Sequence, residues 1–131
     1  MRILYLNIVS PVSFVRLYDQ QKKVAEQTWV TEKNVGSDLL KRLDDFLSQQ
    51  NLDLKTLTHI AVHPGPGSFT SARLSVTVAN TLAWSLNIPV VTAPDETALF
   101  KEAAQSGVHF DHGVMPFYDR PPSVTLRETS R

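Results

Sequence analysis

The stretch Thr58-His59-Ile60-Ala61-Val62-His63-Pro64-Gly65-Pro66-Gly67-Ser68-Phe69-Thr70 decides the fold. Its first five residues are short, partly β-branched and apolar on consecutive positions, which predicts a strand covered on both faces. Pro64 and Pro66 disfavour helix before them, and Gly65 and Gly67 allow positive φ. Ser68 can accept a hydrogen bond from a free N–H of a first helical turn. Strand, glycine loop and helix start therefore meet at one point. Unpaired N–H groups and the positive end of a helix dipole gather there, so Gly65, Gly67, Ser68 and Thr70 form a weak anion site. A Walker-type loop needs Lys followed by Ser or Thr where the helix begins, and Ser68-Phe69-Thr70 has no Lys. The competing reading is a structural turn with a helix cap.

Downstream, an apolar helix is predicted from about Phe69 to Leu86, then a strand, Pro89-Val90-Val91-Thr92. A further helix starts at Pro94-Asp95-Glu96-Thr97 and stops near Gly107. Upstream, Arg2 to Ile8, Ser13 to Tyr18 and Val24 to Val30 read as three strands. The short polar link Asp19-Gln20-Gln21-Lys22-Lys23 makes the last two a hairpin, and the three together an antiparallel meander. Between the meander and the glycine loop, Val35, Leu39, Leu40, Leu43, Phe46 and Leu47 recur at helical spacing among charged residues, up to about Gln50-Asn51. The order β-β-β-α-β-α-β-α predicts an α/β class: a mixed five-stranded sheet flanked by helices, the ribonuclease-H-like arrangement of actin, sugar kinases and Hsp70 chaperones.

At 131 residues the chain fits one domain, 1–131, with an irregular, proline-interrupted tail over about 107–131 that either adds an edge strand or lies along the domain. Thirteen basic and thirteen acidic residues cancel, so no global basic field exists to hold RNA or DNA directly. The absence of Cys excludes disulfides and thiolate zinc sites and is compatible with a reducing compartment. The apolar opening, Met1 to Ser10, is too short and too interrupted by Asn7 for a signal peptide, and no stretch is long enough to span a bilayer. A cytoplasmic location is the expectation, with no membrane partner.

The second helix carries an apolar arc over more than half its circumference, whereas a helix lying on a sheet needs about a third. Neighbouring helices of the same domain or a partner can take up the excess. Within the arc Ser71, Ser75, Ala79 and Ala83 form an i, i+4 row of small side chains that permits close approach of another backbone. With the stripe of the first helix, the two helices can supply half of a four-helix contact. The candidate partner-facing residues are Leu39, Leu43, Phe46, Ser71, Ser75, Val78, Ala79 and Leu82. Trp84, on the otherwise polar side with Arg73 and Thr77, is a further candidate anchor.

No nucleophile triad, HExxH pair or closely spaced carboxylate pair can be assembled, so no catalytic residue is assigned. His109-Phe110-Asp111-His112 lacks a third fixed ligand, and His59 and His63 flank a strand as hydrogen-bonding residues, so no metal site is assigned either.

The string HPGPGSFTSAR (63–73) closely resembles the GPGSFTGLR signature of the bacterial TsaB (YeaZ) family. The MRILYLN opening, the early amphipathic helix and the segment NIPVVTAPDETAL (87–99) agree, so the resemblance covers about residues 1–105. It implies an actin-like ATPase fold and a non-catalytic role, without a cofactor, in making threonylcarbamoyladenosine at position 37 of tRNA. The implied partner is the catalytic subunit TsaD, bound through the first two helices, with the ATPase TsaE joining the assembly and tRNA contacted only indirectly. Where the family has an Asp after its first strand this chain has Asn7, which lacks the charge that favours a hard cation. Ser71 and Ala72 replace the Gly and Leu of the signature. The family's second domain has no counterpart here, so the chain reads as a short form or a fragment without the interdomain cleft in which actin-like folds hold nucleotide. An actin-like nucleotide-binding enzyme, a metal-dependent hydrolase and a self-associating homodimeric module are the rival readings.

Overall fold

The computed structural model describes residues 1–30, 35–65 and 69–105, with side chains for all of these except 35–38 and 69–70. The elements are β1 (Arg2–Asn7), β2 (Val12–Asp19), β3 (Lys22–Val30), α1 (Val35–Gln49), a 3₁₀ turn (Leu54–Thr56), β4 (His59–Val62), α2 (Phe69–Leu86), β5 (Val90–Thr92) and α3 (Glu96–Gln105). The element order is the one the sequence predicts, with the 3₁₀ turn added. Asp53 caps that turn by accepting from the Lys55 N–H.

The five strands lie in the order β3-β2-β1-β4-β5. β1, β2 and β3 form the antiparallel meander, while β1, β4 and β5 are parallel, so the sheet is mixed. Gln20 and Gln21 close the β2–β3 hairpin with φ of 52° and 68°. Paired positive φ values match the right-handed twist of a two-residue hairpin, although Asn-Gly is the usual sequence there. α2 ends in a Schellman arrangement: Asn87 has φ 55°, its N–H donates to the Trp84 carbonyl, and the Ile88 N–H donates to the Ala83 carbonyl.

Two apolar layers sandwich the sheet. Leu4, Leu6, Val15, Leu17, Ile60 and Val62 point to one face, where they meet Leu43 and Phe46 of α1 and Val76, Ala79 and Ala83 of α2. Ile3, Tyr5, Tyr18, Ala61 and Val91 point to the other, against Leu99 and Ala103 of α3. Alternation along β1 produces both sets, because successive side chains leave opposite faces.

The row of small residues on α2 finds its close neighbour inside the chain. Ser71, Ser75, Ala79 and Ala83 are all buried, and α2 runs along β4 and β1. A hydroxyl there needs an internal acceptor, and the Ser75 Oγ–H donates to the Ala72 carbonyl at 3.0 Å. Much of the wide apolar arc is thus absorbed by the sheet and by α1. Among the described residues no helix is long and apolar enough to cross a membrane.

Candidate functional site

The C-terminal ends of the parallel strands β1, β4 and β5 come together at one edge of the sheet, where sites of open α/β folds collect. Three loops leave that edge. The loop after β1 is organised by Asn7, whose side-chain oxygen accepts from the Val9 and Ser10 N–H groups while its Nδ2 donates to Ser10 Oγ at 2.9 Å. Asn7 is buried, and its amide is committed to this Asx-type turn. A carboxylate could accept the same two N–H bonds but could not donate to Ser10.

The loop after β4 begins with the His63 N–H donating to the Leu6 carbonyl at 2.9 Å. Gly65 follows with φ 113°, a conformation open to glycine and costly for any other residue, and its N–H donates to His63 Nδ1 at 3.2 Å. The same imidazole is hydrogen-bonded to the Pro94 backbone, so His63 ties the β4–α2 loop to the β5–α3 loop. Since Nδ1 accepts, Nε2 carries the proton toward Pro94. His59, at the opposite end of β4, meets the Thr58 hydroxyl at 2.8 Å and the Ala103 backbone. Both histidines are hydrogen-bonding residues, as their position beside a strand predicts.

The loop after β5 is fastened from beneath. The Tyr5 hydroxyl donates to the Ala93 carbonyl at 2.5 Å and the Tyr18 hydroxyl to Glu96 Oε2 at 2.8 Å. Asp95 caps α3 by accepting from the Ala98 N–H at 2.8 Å. Burial is the main cause that raises both phenols, Tyr18 to about 12 and Tyr5 further.

Burial lowers the His63 pKa from its ordinary 6.5, against smaller raising effects of Pro94 and Asp95. Burial lowers His59 as well. Between the lowered folded values and 6.5 the unfolded chain binds more protons than the folded one, so stability falls as pH drops through that window and the loss is complete below it. In a His63→Gln variant this acid-side loss is expected to shrink, measured as the urea midpoint above and below pH 6.5.

Of the candidate anion residues Gly65 is described; Gly67 and Ser68 lie outside the described residues, as does the Thr70 side chain. His109, Asp111 and His112 lie outside them too. Among the described residues no three metal-ligating side chains come together. The candidate partner residues fall into two groups. Leu39, Leu43, Phe46, Ser71, Ser75 and Ala79 are buried within the chain, and Val78 and Leu82 are half-buried. Trp84 is 70 % exposed, as its place among polar neighbours predicts, and Leu40 is 63 % exposed. Leu40 is absent from the candidates drawn from the sequence, although a helical wheel sets it beside Asp44, on the flank of the α1 stripe.

The family model described as "TsaD: tRNA N6-adenosine threonylcarbamoyltransferase" matches residues 29–109. The Bacillus subtilis "tRNA threonylcarbamoyladenosine biosynthesis protein TsaB" is 31% identical over 119 residues, which is 91% of this chain and 50% of that protein. The chain belongs to this family, in its TsaB/YeaZ form. The TsaB of Buchnera aphidicola from Acyrthosiphon pisum is 33% identical over 61 residues, 47% of this chain and 28% of that protein. A solved structure titled "YeaZ from Pseudomonas aeruginosa" superposes with a TM-score of 0.65 at 26% identity, covering 72% of this chain and 44% of that one. A second, titled by its "similarity to peptidase YEAZ", agrees with TM-score 0.65 over 43% of its length. The chain thus spans half or less of the TsaB and YeaZ relatives it matches, and its sheet and helices are those of an actin-like α/β fold.

Proposed function

We propose that this TsaB/YeaZ chain is a non-catalytic partner that binds a TsaD-like subunit and so supports threonylcarbamoyladenosine modification of tRNA. The observation that carries the reading is the pairing of that family membership with two large apolar side chains, Leu40 and Trp84, held in solvent on the outer surfaces of α1 and α2. Half-buried Val78 and Leu82 continue the apolar character of α2. A solvent-exposed Trp is a suitable interface anchor, because it buries a large area with little loss of side-chain freedom. The polar side chains at the sheet edge favour a supporting role over an enzymatic one. Asn7 and His63 bond to loop backbone and Asp95 to the first turn of α3. The neutral net charge supports a reading in which tRNA is contacted through the partner.

Light scattering on a size-exclusion column tests this, with the chain alone and mixed with the TsaD-like subunit of the same genome. A mixed species is expected. Trp84→Ala is expected to weaken it on the order of 30-fold, the effect of an interface anchor worth about 2 kcal/mol, with the circular dichroism unchanged. No mixed species would sink the proposal. A symmetric dimer of the chain alone, unaffected by the subunit, would favour the self-associating module.

A further inference from the structure

Where β4 and β5 end, backbone bonds hold the first residue of each loop to the neighbouring strand. The His63 N–H donates to the Leu6 carbonyl and the Ala93 N–H to the Val62 carbonyl. One residue further into each loop the fastening changes character, because the His63 side chain takes over. Gly65 is buried, and its N–H donates to His63 Nδ1 at 3.2 Å. A buried N–H needs an acceptor, since an orphaned one costs at least as much as a lost hydrogen bond. Nδ1 serves only while it keeps its lone pair, that is, while the imidazole is neutral with its proton on Nε2. Protonation turns Nδ1 into a donor that faces the donor it had accepted. The ring is half-buried, so water can deliver that proton without the fold opening.

We propose that His63 is a proton-operated tie between the two loops: the neutral ring joins Gly65 to Pro94, and the imidazolium releases Gly65 while staying attached to the β5–α3 loop. The asymmetry follows from what faces the ring on each side. An imidazolium has two N–H groups to satisfy, and the Pro94 backbone, which has a carbonyl but no N–H, still accepts from one. Asp95, at the start of α3, attracts the ring and favours the cation. On the β1 side Asn7 is neutral and bonded to Val9 and Ser10. The Tyr5 phenol, under Ala93, keeps its proton throughout the acid range, and His59 lies at the other end of β4 against Ala103. The β5–α3 loop is also held without His63, by Val62 and Tyr5 at Ala93 and by Asp95 at Ala98. Gly65 is therefore the end that gives. Burial, opposed by Pro94 and Asp95, sets the change on the acid side of 6.5. The tie stands apart from the proposed partner role, which rests on the outer surfaces of α1 and α2.

Nuclear magnetic resonance on the full chain tests this, with histidine ring-nitrogen shifts and amide hydrogen exchange followed from about pH 7.5 to about pH 5. As His63 gains its proton, the Gly65 amide is expected to lose about tenfold in protection relative to its intrinsic exchange rate, the effect of a lost interior acceptor. The Ala93 and Leu99 amides, bonded to the Val62 and Asp95 carbonyls, are expected to keep theirs. His63→Asn supplies a side-chain carbonyl in place of Nδ1 and cannot titrate, so Gly65 protection in that variant is expected to be independent of pH over the same range. Gly65 protection unchanged while the parent ring titrates, or Ala93 and Leu99 losing protection in step with Gly65, would overturn the proposal. A neutral ring with its proton on Nδ1 would do the same, as would a pH dependence that persists in His63→Asn.

Discussion

Ala79→Glu is expected to abolish the cooperative unfolding transition at neutral pH, leaving a chain without fixed tertiary structure. Ala79 has no exposed surface and packs among Leu4, Leu6, Ile60 and Val62 beneath the middle of α2. A glutamate there would need several methylene-sized volumes that the layer does not have, and would carry its carboxylate in among apolar side chains. Overpacking costs about 1–3 kcal/mol and an unpaired buried charge several more, together comparable with the whole stability of a domain of this size. Near-ultraviolet circular dichroism and a urea titration read the outcome. A cooperative transition within about 1 kcal/mol of the parent would mean that α2 is not seated on the sheet as described. Trp84→Glu is the contrasting substitution. Its side chain is largely in solvent, and the fold is expected to survive it.

That contrast marks what the sequence makes legible. Helix and strand positions follow from period, because Leu39, Leu43, Phe46 and Leu47 recur every three to four residues whereas β4 is a short apolar run bounded by Pro and Gly. The glycine loop locates the α2 start for the same local reason. The facing of α2 is not legible in this way. A row of small residues calls for a close backbone on one side, but periodicity does not say whether that backbone belongs to the same chain or another. The sheet takes Ser71, Ser75 and Ala79, and the large apolar side chains left in solvent on the two helices are Leu40 and Trp84, with Val78 and Leu82 half-buried.

Long-range polar contacts are the other part that sequence spacing conceals. Tyr5 meets Ala93 across 88 residues and Tyr18 meets Glu96 across 78. Each tyrosine reads in isolation as an ordinary strand aromatic. Only the parallel placement of β5 beside β4, with α3 returning over Tyr18, makes a latch of them. Asn7 is similar: its departure from Asp is visible in the sequence, while the turn that uses both ends of its amide is visible only in the fold.

The same latch predicts alkaline unfolding. An exposed phenol loses its proton near 10.0, whereas burial, reinforced by the hydrogen bond to Glu96, pushes Tyr18 to about 12, and burial pushes Tyr5 higher. Above pH 10 the unfolded chain therefore releases protons that the folded chain retains, the folded state binds more of them, and stability falls as pH rises through the interval to about 12. In a Tyr118→Phe background, where only Tyr5 and Tyr18 report, phenolate absorbance and loss of helical circular dichroism are expected to change together. Phenolate absorbance complete near pH 10 with the helices intact would overturn this burial of the latch. Tyr18→Phe is expected to flatten the alkaline slope while lowering stability at neutral pH by about 1 kcal/mol, the net worth of one hydrogen bond. Its effect on the TsaD-like complex separates two roles. Loss of binding in step with stability would make the latch structural support for the sheet. Loss of binding with stability retained would make the start of α3 a part of the docking surface, because Glu96 would have moved without unloading the core.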